Sequence, residues 1–103
     1  MQKVYTKKYM YIFKNEYKEE YVVYNSKKQW EDGHTHIHTY KQALYLVNCI
    51  LNNKIPKKTN KYFLVSLLRL AKDKKYKEQL QQILDGKEAK QAYVNTPKHV
   101  RRQ

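Results

Sequence analysis

With 103 residues and a formal net charge of +13, from 22 Lys+Arg against 9 Asp+Glu, the chain has the length of one small, strongly basic domain and excludes a second independent one. Cys49 is the only cysteine, which excludes an intrachain disulfide, and the two glycines, Gly33 and Gly86, stand too far apart to form a glycine-rich phosphate loop. Such a charge excess directs attention to polyanionic partners, nucleic acid first.

The first residues, MQKVYTKKYMYIF, are interrupted by lysines too often for a signal peptide or a membrane span. A cytoplasmic protein with no membrane partner is therefore expected. Residues 4–13 and 17–24 are rich in aromatic and β-branched types and read as a β-hairpin closed by Lys14, Asn15 and Glu16. That register gathers Tyr9, Tyr11, Phe13, Tyr17 and Tyr21 on one face, expected as core, and leaves Met10 and Ile12 on a wet face. A register shifted by one residue, with Tyr9 opposite Val22, reverses part of this assignment, and the sequence leaves both open.

Residues 25–33 have a loop composition ending in the turn signal Asp32-Gly33, with Trp30 set inside it as a cap on the edge of the core or an exposed binding anchor. His34 to Thr39, HTHIHT, alternates as a short third strand. Thr39 with Gln42 forms a helix-starting capping box, and Ala43, Leu44, Val47, Ile50 and Leu51 follow at helical spacing until Asn52-Asn53 and Pro56. Cys49 falls inside this pattern as a buried thiol.

Thr59 or Asn60 caps the next helix, whose apolar positions Phe63, Leu64, Leu67, Leu68 and Ala71, widened by Val65 and Leu70, mark it as central. Residues 57–77 carry eight basic side chains against Asp73 alone, so this segment supplies +7 of the total. Asp73 can cap a further helix with the stripe Tyr76, Leu80, Ile83 and Leu84, and Gly86 suits its C′ position. The expected organisation is one α+β domain over residues 1–86, an N-terminal antiparallel hairpin or three-stranded sheet followed by three α-helices. Residues 87–103 are expected as a basic, mobile tail, with room for a frayed helical turn around Ala89 to Tyr93.

His34, His36 and His38 share one face of a strand, at a spacing that lets two of them chelate a divalent metal. His36-Ile37-His38 resembles the histidine-hydrophobe-histidine motif of rolling-circle replication initiators, relaxases and related single-strand transposases, which implies a metal there and a tyrosine nucleophile on a later helix. The Tyr-x-x-Lys pattern that completes that chemistry is absent after the histidines. The order of three strands followed by a helix is similar to the arm-binding domain of phage and transposon integrases, which implies a sheet face laid against DNA. No serine, cysteine or paired-carboxylate site is apparent.

The expected function is that of a small noncatalytic, basic, nucleic-acid-binding or accessory protein of a bacterium, phage or mobile element, with no cofactor. Its contacts to the DNA or RNA backbone are expected from Lys54, Lys57, Lys58, Lys61, Arg69, Lys72, Lys74, Lys75, Lys77, Arg101 and Arg102. With three arginines in the chain, backbone affinity is expected to exceed base specificity. The alternative is an inhibitor or adaptor binding an acidic protein surface, and the third reading is a metal-dependent nuclease-like protein using the histidine strand. Whether the lysines form one patch or two decides how much the charge argument is worth.

Overall fold

The segment expected as one long first strand folds back on itself at Lys8-Tyr9. In the computed structural model, which describes residues 1–95 and the side chains of residues 1–87, β1 (Gln2–Lys7) and β2 (Met10–Lys14) pair antiparallel across this two-residue turn. Lys8 takes a left-handed backbone, φ 53°, at a steric cost of about 1–2 kcal/mol for a residue with a Cβ. Ser26 holds the turn from outside, its N–H and hydroxyl both donating to the Tyr9 carbonyl.

The next strand, β3 (Tyr21–Asn25), follows a loop rather than a tight turn, and β4 (His34–Ile37) follows a single helical turn, α1 (Trp30–Gly33). All pairings are antiparallel, in the order β1-β2-β3-β4. The helices α2 (Tyr40–Asn52), α3 (Lys61–Leu70) and α4 (Lys74–Asn95) complete the chain. The α+β class is as expected, with four strands and four helices among the described residues in place of two or three strands and three helices.

Neither hairpin register considered from the sequence is adopted. Met10 lies opposite Asn25, Tyr11 opposite Tyr24, Ile12 opposite Val23 and Phe13 opposite Val22. Because side chains alternate along a strand, this places Met10, Ile12 and Val23 on the helix side, all fully buried, and turns Tyr11, Phe13 and Tyr24 outward. Tyr17, expected in the core, is 92% exposed in the β2–β3 loop, where its N–H donates to the Asn15 side chain. The aliphatic face takes the core because α2 and α3 bring Ala43, Leu46, Val47, Leu64 and Leu67 against it. Each large aliphatic side chain buried this way contributes about 1.5–3 kcal/mol.

Polar ties fix the helices to the sheet. Asn25 is 1% exposed, and its amide donates to the Leu70 carbonyl at the end of α3 while its carbonyl oxygen accepts from the Lys27 N–H. Gly33 is required by close approach: a Cβ there would lie 2.6 Å from the Lys28 Cβ and 3.1 Å from the Asn25 carbonyl oxygen.

The helix signals are obeyed locally. Thr39 caps α2 through the Gln42 N–H, Asn53 ends it in a left-handed conformation, and Asn60, rather than Thr59, caps α3 through the Phe63 N–H. Asp73 accepts from the Tyr76 N–H and separates α3 from α4. Val65, expected to widen the buried stripe, is 47% exposed, whereas Leu70 is fully buried. On α4, Tyr76, Leu80 and Leu84 pack into the core, and the Tyr76 hydroxyl donates to the Lys54 carbonyl at 2.7 Å. Gly86 is not a terminating residue: α4 continues through it to Asn95, so residues 87–95, expected to begin the tail, extend the helix. Residues 96–103 lie outside the described residues. No described helix is long and apolar enough to cross a membrane.

Candidate nucleic-acid interface

Opposite the helices, the sheet presents a row of aromatic rings that runs across its strands. Tyr11 and Phe13 on β2 meet edge to face, with centroids 6.2 Å apart, and Tyr11 lies 6.4 Å from Tyr24 on β3. Trp30, carried by α1, stands edge-on to both Tyr24 (5.0 Å) and Phe13 (6.0 Å), and stacks on the His34 ring at 4.3 Å with 9° between planes. The row ends at His36, 5.3 Å from His34. Beneath it Val22, outside the helix-side core, is sealed from solvent by these neighbours. The row is half open: Trp30 is 38% exposed and the His36 side chain 53%, and Tyr11, Phe13, Tyr24 and His34 are half-buried.

Cations stand at both edges of this row. At the β1 edge the Lys3 ammonium lies 5.0 Å from the centre of the Tyr11 ring. At the β4 edge the Arg69 guanidinium donates to the carbonyls of His34 (2.7 Å) and Glu31 (2.6 Å), which fixes a permanent charge beside Trp30 and His34. Lys28 donates to the Arg69 and Ala71 carbonyls and is held by its neighbours in the fold, since the Tyr24 hydroxyl donates to the Lys28 carbonyl. Burial lowers the Lys28 pKa most, and repulsion from Lys77, Arg69 and Lys72 lowers it further against the pull of Asp32. A basic cluster therefore sits next to the aromatic row, with Glu31 and Asp32 as exposed carboxylates on the intervening helical turn.

The histidines divide between tasks. His34 and His36 share the outer face, but the His34 ring is stacked on Trp30 with Nδ1 against the Trp30 carbonyl. His36 Nδ1 pairs with the Glu20 carboxylate at 3.2 Å, and this hydrogen bond, helped by the Asn15 amide, holds the Glu20 pKa below the ordinary carboxylate range. His38 falls beyond the last residue of β4 and is exposed. Among the described residues, no three His, Cys, Asp or Glu side chains come together as a metal-holding group.

The lysines expected at the interface are carried by the α2–α3 loop and by α3, the α3–α4 joint and α4. Lys54, Lys57 and Lys58 surround Tyr45 and Ile55 on the α2–α3 loop, with the Lys54 ammonium 5.2 Å from the Tyr45 ring centre. Lys61 lies over Tyr62, 5.5 Å from its ring centre. Lys72, Lys74 and Lys77 line a shallow depression with Leu68 and Glu78 at the α3–α4 joint, and Lys72 donates to the Lys27 carbonyl. Lys75 is exposed on the first turn of α4. Arg101 and Arg102 lie outside the described residues. Arg69 and Lys72 are thus partly engaged with the chain's own backbone, and the Tyr76 hydroxyl on the Lys54 carbonyl brings the start of the α2–α3 loop beside the α3–α4 joint.

Lys3 and Lys28 were not among the residues expected to bind. Nothing in their local sequence marks them, because their position beside the aromatic row depends on the strand register and on the packing of α1. Compared with protein-family models, curated proteins and solved structures, the chain matches none.

Proposed function

We propose that the protein binds nucleic acid without catalysis and that the outer sheet face, rather than the lysines around α3, is its contact surface. The observation that carries this reading is the contiguous aromatic row Tyr11, Phe13, Tyr24, Trp30 and His34, half-buried except for the exposed Trp30 and bordered by Lys3 and Arg69. Rings offer stacking area to bases, and cations at the edges meet phosphates. The remaining basic surfaces add long-range attraction, which raises the encounter rate without choosing a sequence. A cytoplasmic setting belongs to the same reading.

The test is a salt series on the full chain with labelled DNA and RNA of mixed sequence, followed by anisotropy. Affinity is expected to fall steeply with salt as counterions are released, and Lys3→Glu to weaken binding further. Absence of any complex at low salt removes the reading. A second reading, a module that binds an acidic protein, draws on a different observation: Tyr62 is 74% exposed, and the nearby lysines give that region a basic surface. Its signature is capture of an acidic partner that persists after nuclease treatment and is lost in Tyr62→Ala.

A further inference from the structure

The outer face is suited to one form of nucleic acid more than the other. We propose, on the basis of the nucleic-acid reading above, that it holds a single strand, with two or three bases stacked along Tyr11, Tyr24 and Trp30 and phosphates at Lys3 and Arg69. The geometry argues this in three steps. First, the rings lie on the surface of a sheet, where neighbouring strands are about 4.8 Å apart, so the rings from β2 to β4 span about 10 Å, with Lys3 one strand further out on β1. That width admits two or three bases side by side, as aromatic side chains on a four-stranded sheet can hold them.

Second, base faces are covered in a duplex and free in a single strand. A sheet that reads a duplex groove needs outward donors and acceptors that reach base edges. Here the outer positions of β1 to β4 are Lys3, Thr6, Tyr11, Phe13, Val22, Tyr24, His34 and His36. The Tyr24 hydroxyl donates to Lys28, His34 is stacked and bonded to Trp30, and His36 is paired with Glu20. Apart from Lys3, Thr6 and the Tyr11 hydroxyl, what the face has to offer is ring area. Third, the cations stand at the two edges of the row, so that a backbone on either side of the stacked bases meets opposite charge. The binding is then tolerant of sequence, since every base has a π face and lysine selects none.

Trp30 is the only tryptophan of the chain, so its emission reports on the row directly. Oligo(dT), oligo(rU) and a blunt mixed-sequence duplex of the same length are titrated into the full chain at low salt, with anisotropy of the labelled strand and Trp30 emission followed together. At least one of the two single strands is expected to bind tenfold or more tighter than the duplex and to quench the emission, and the tighter of the two identifies the preferred sugar. Tyr11→Leu and Trp30→Leu are each expected to lower single-strand affinity about fivefold to hundredfold. Trp30→Phe retains most of it, with circular dichroism and the urea midpoint confirming that each variant is folded. Binding of the duplex as tightly as both single strands, or saturation by a single strand with unchanged emission, overturns the single-strand proposal and leaves the nucleic-acid reading standing. Failure of all three probes to bind overturns both.

Discussion

The two faces of the sheet are built from the same four strands, yet they differ in chemistry and in exposure. The centre of the inner face is aliphatic, with Met10, Ile12 and Val23 fully buried under α2 and α3 and Tyr5, Tyr9 and Tyr21 partly buried at its margins, and its polar members Asn25 and Thr35 are satisfied by the Leu70 carbonyl and the Ser66 hydroxyl. The outer face is aromatic and imidazole-rich, half open, and organised by ring-to-ring contacts rather than by a covering layer. Tyrosine needs its hydroxyl at water or at a partner, which favours the open side. Branched aliphatic chains with no polar atom interlock with helix side chains at high density. The difference separates residues that hold the fold from residues free to meet a partner.

Breaking the inner face should produce the largest loss of stability. Ile12→Ala is expected to cost about 2–5 kcal/mol in urea unfolding, the usual cost of a cavity in a packed core. The outer-face counterpart, Tyr11→Leu, is expected to change stability by less than about 1 kcal/mol while weakening nucleic-acid binding. Equal losses of stability from the two would erase the distinction. Next in size, Gly33→Ala is expected to destabilise by about 1–3 kcal/mol, because the added methyl meets the Lys28 Cβ and the Asn25 carbonyl and something must shift. Since α1 carries Trp30, the same variant should alter Trp30 emission.

A smaller effect of opposite sign is expected at Gly86. Its site within α4 has no heavy atom within 4 Å of an added Cβ. Gly86→Ala should therefore stabilise the protein by about 0.5–1 kcal/mol, seen as a rise in thermal midpoint. A left-handed C′ glycine at the end of the helix would give destabilisation instead.

The smallest effect concerns the corner where the outer face ends. The Glu20 pKa is lowered chiefly by the His36 hydrogen bond and then by Asn15, so its contribution is present above the unfolded carboxylate value and is lost as pH falls through the folded one. The stability difference between wild type and Glu20→Gln is expected to shrink as pH falls below about 4. Unfolding midpoints across that range measure it. A difference that grows on acidification would place the lowered pKa elsewhere.

Much of the helical half was legible in the sequence because its signals act within a few residues. Thr39, Asn60 and Asp73 each cap the helix they precede through the N–H three residues on, and the stripe Tyr76, Leu80 and Leu84 is buried at the spacing that the pattern implies. The sheet was less legible. Its first turn, Lys8-Tyr9, carries no glycine, asparagine or aspartate, so nothing local announces that the strand reverses there. Missing that turn merged β1 with β2 and moved the hairpin register, so that Met10 and Ile12 took the core side from Tyr11 and Phe13 while Tyr9 and Tyr21 kept it.

The candidate interface followed the sheet in this respect. Tyr11, Tyr24 and Trp30 are far apart in sequence, and Lys3 and Arg69 farther still, and they meet through pairing and helix docking. Sequence alone determined the α+β class, the candidate caps, Asp73 among them, and an unbalanced positive charge, all of which depend on composition or on neighbours along the chain. Tertiary structure decided which sheet face is core, where the lysines lie relative to one another and that a row of rings stands half open between two cations. In a strand, a one-residue change of register moves every side chain to the opposite face, and only the helices packed on one side choose between the two.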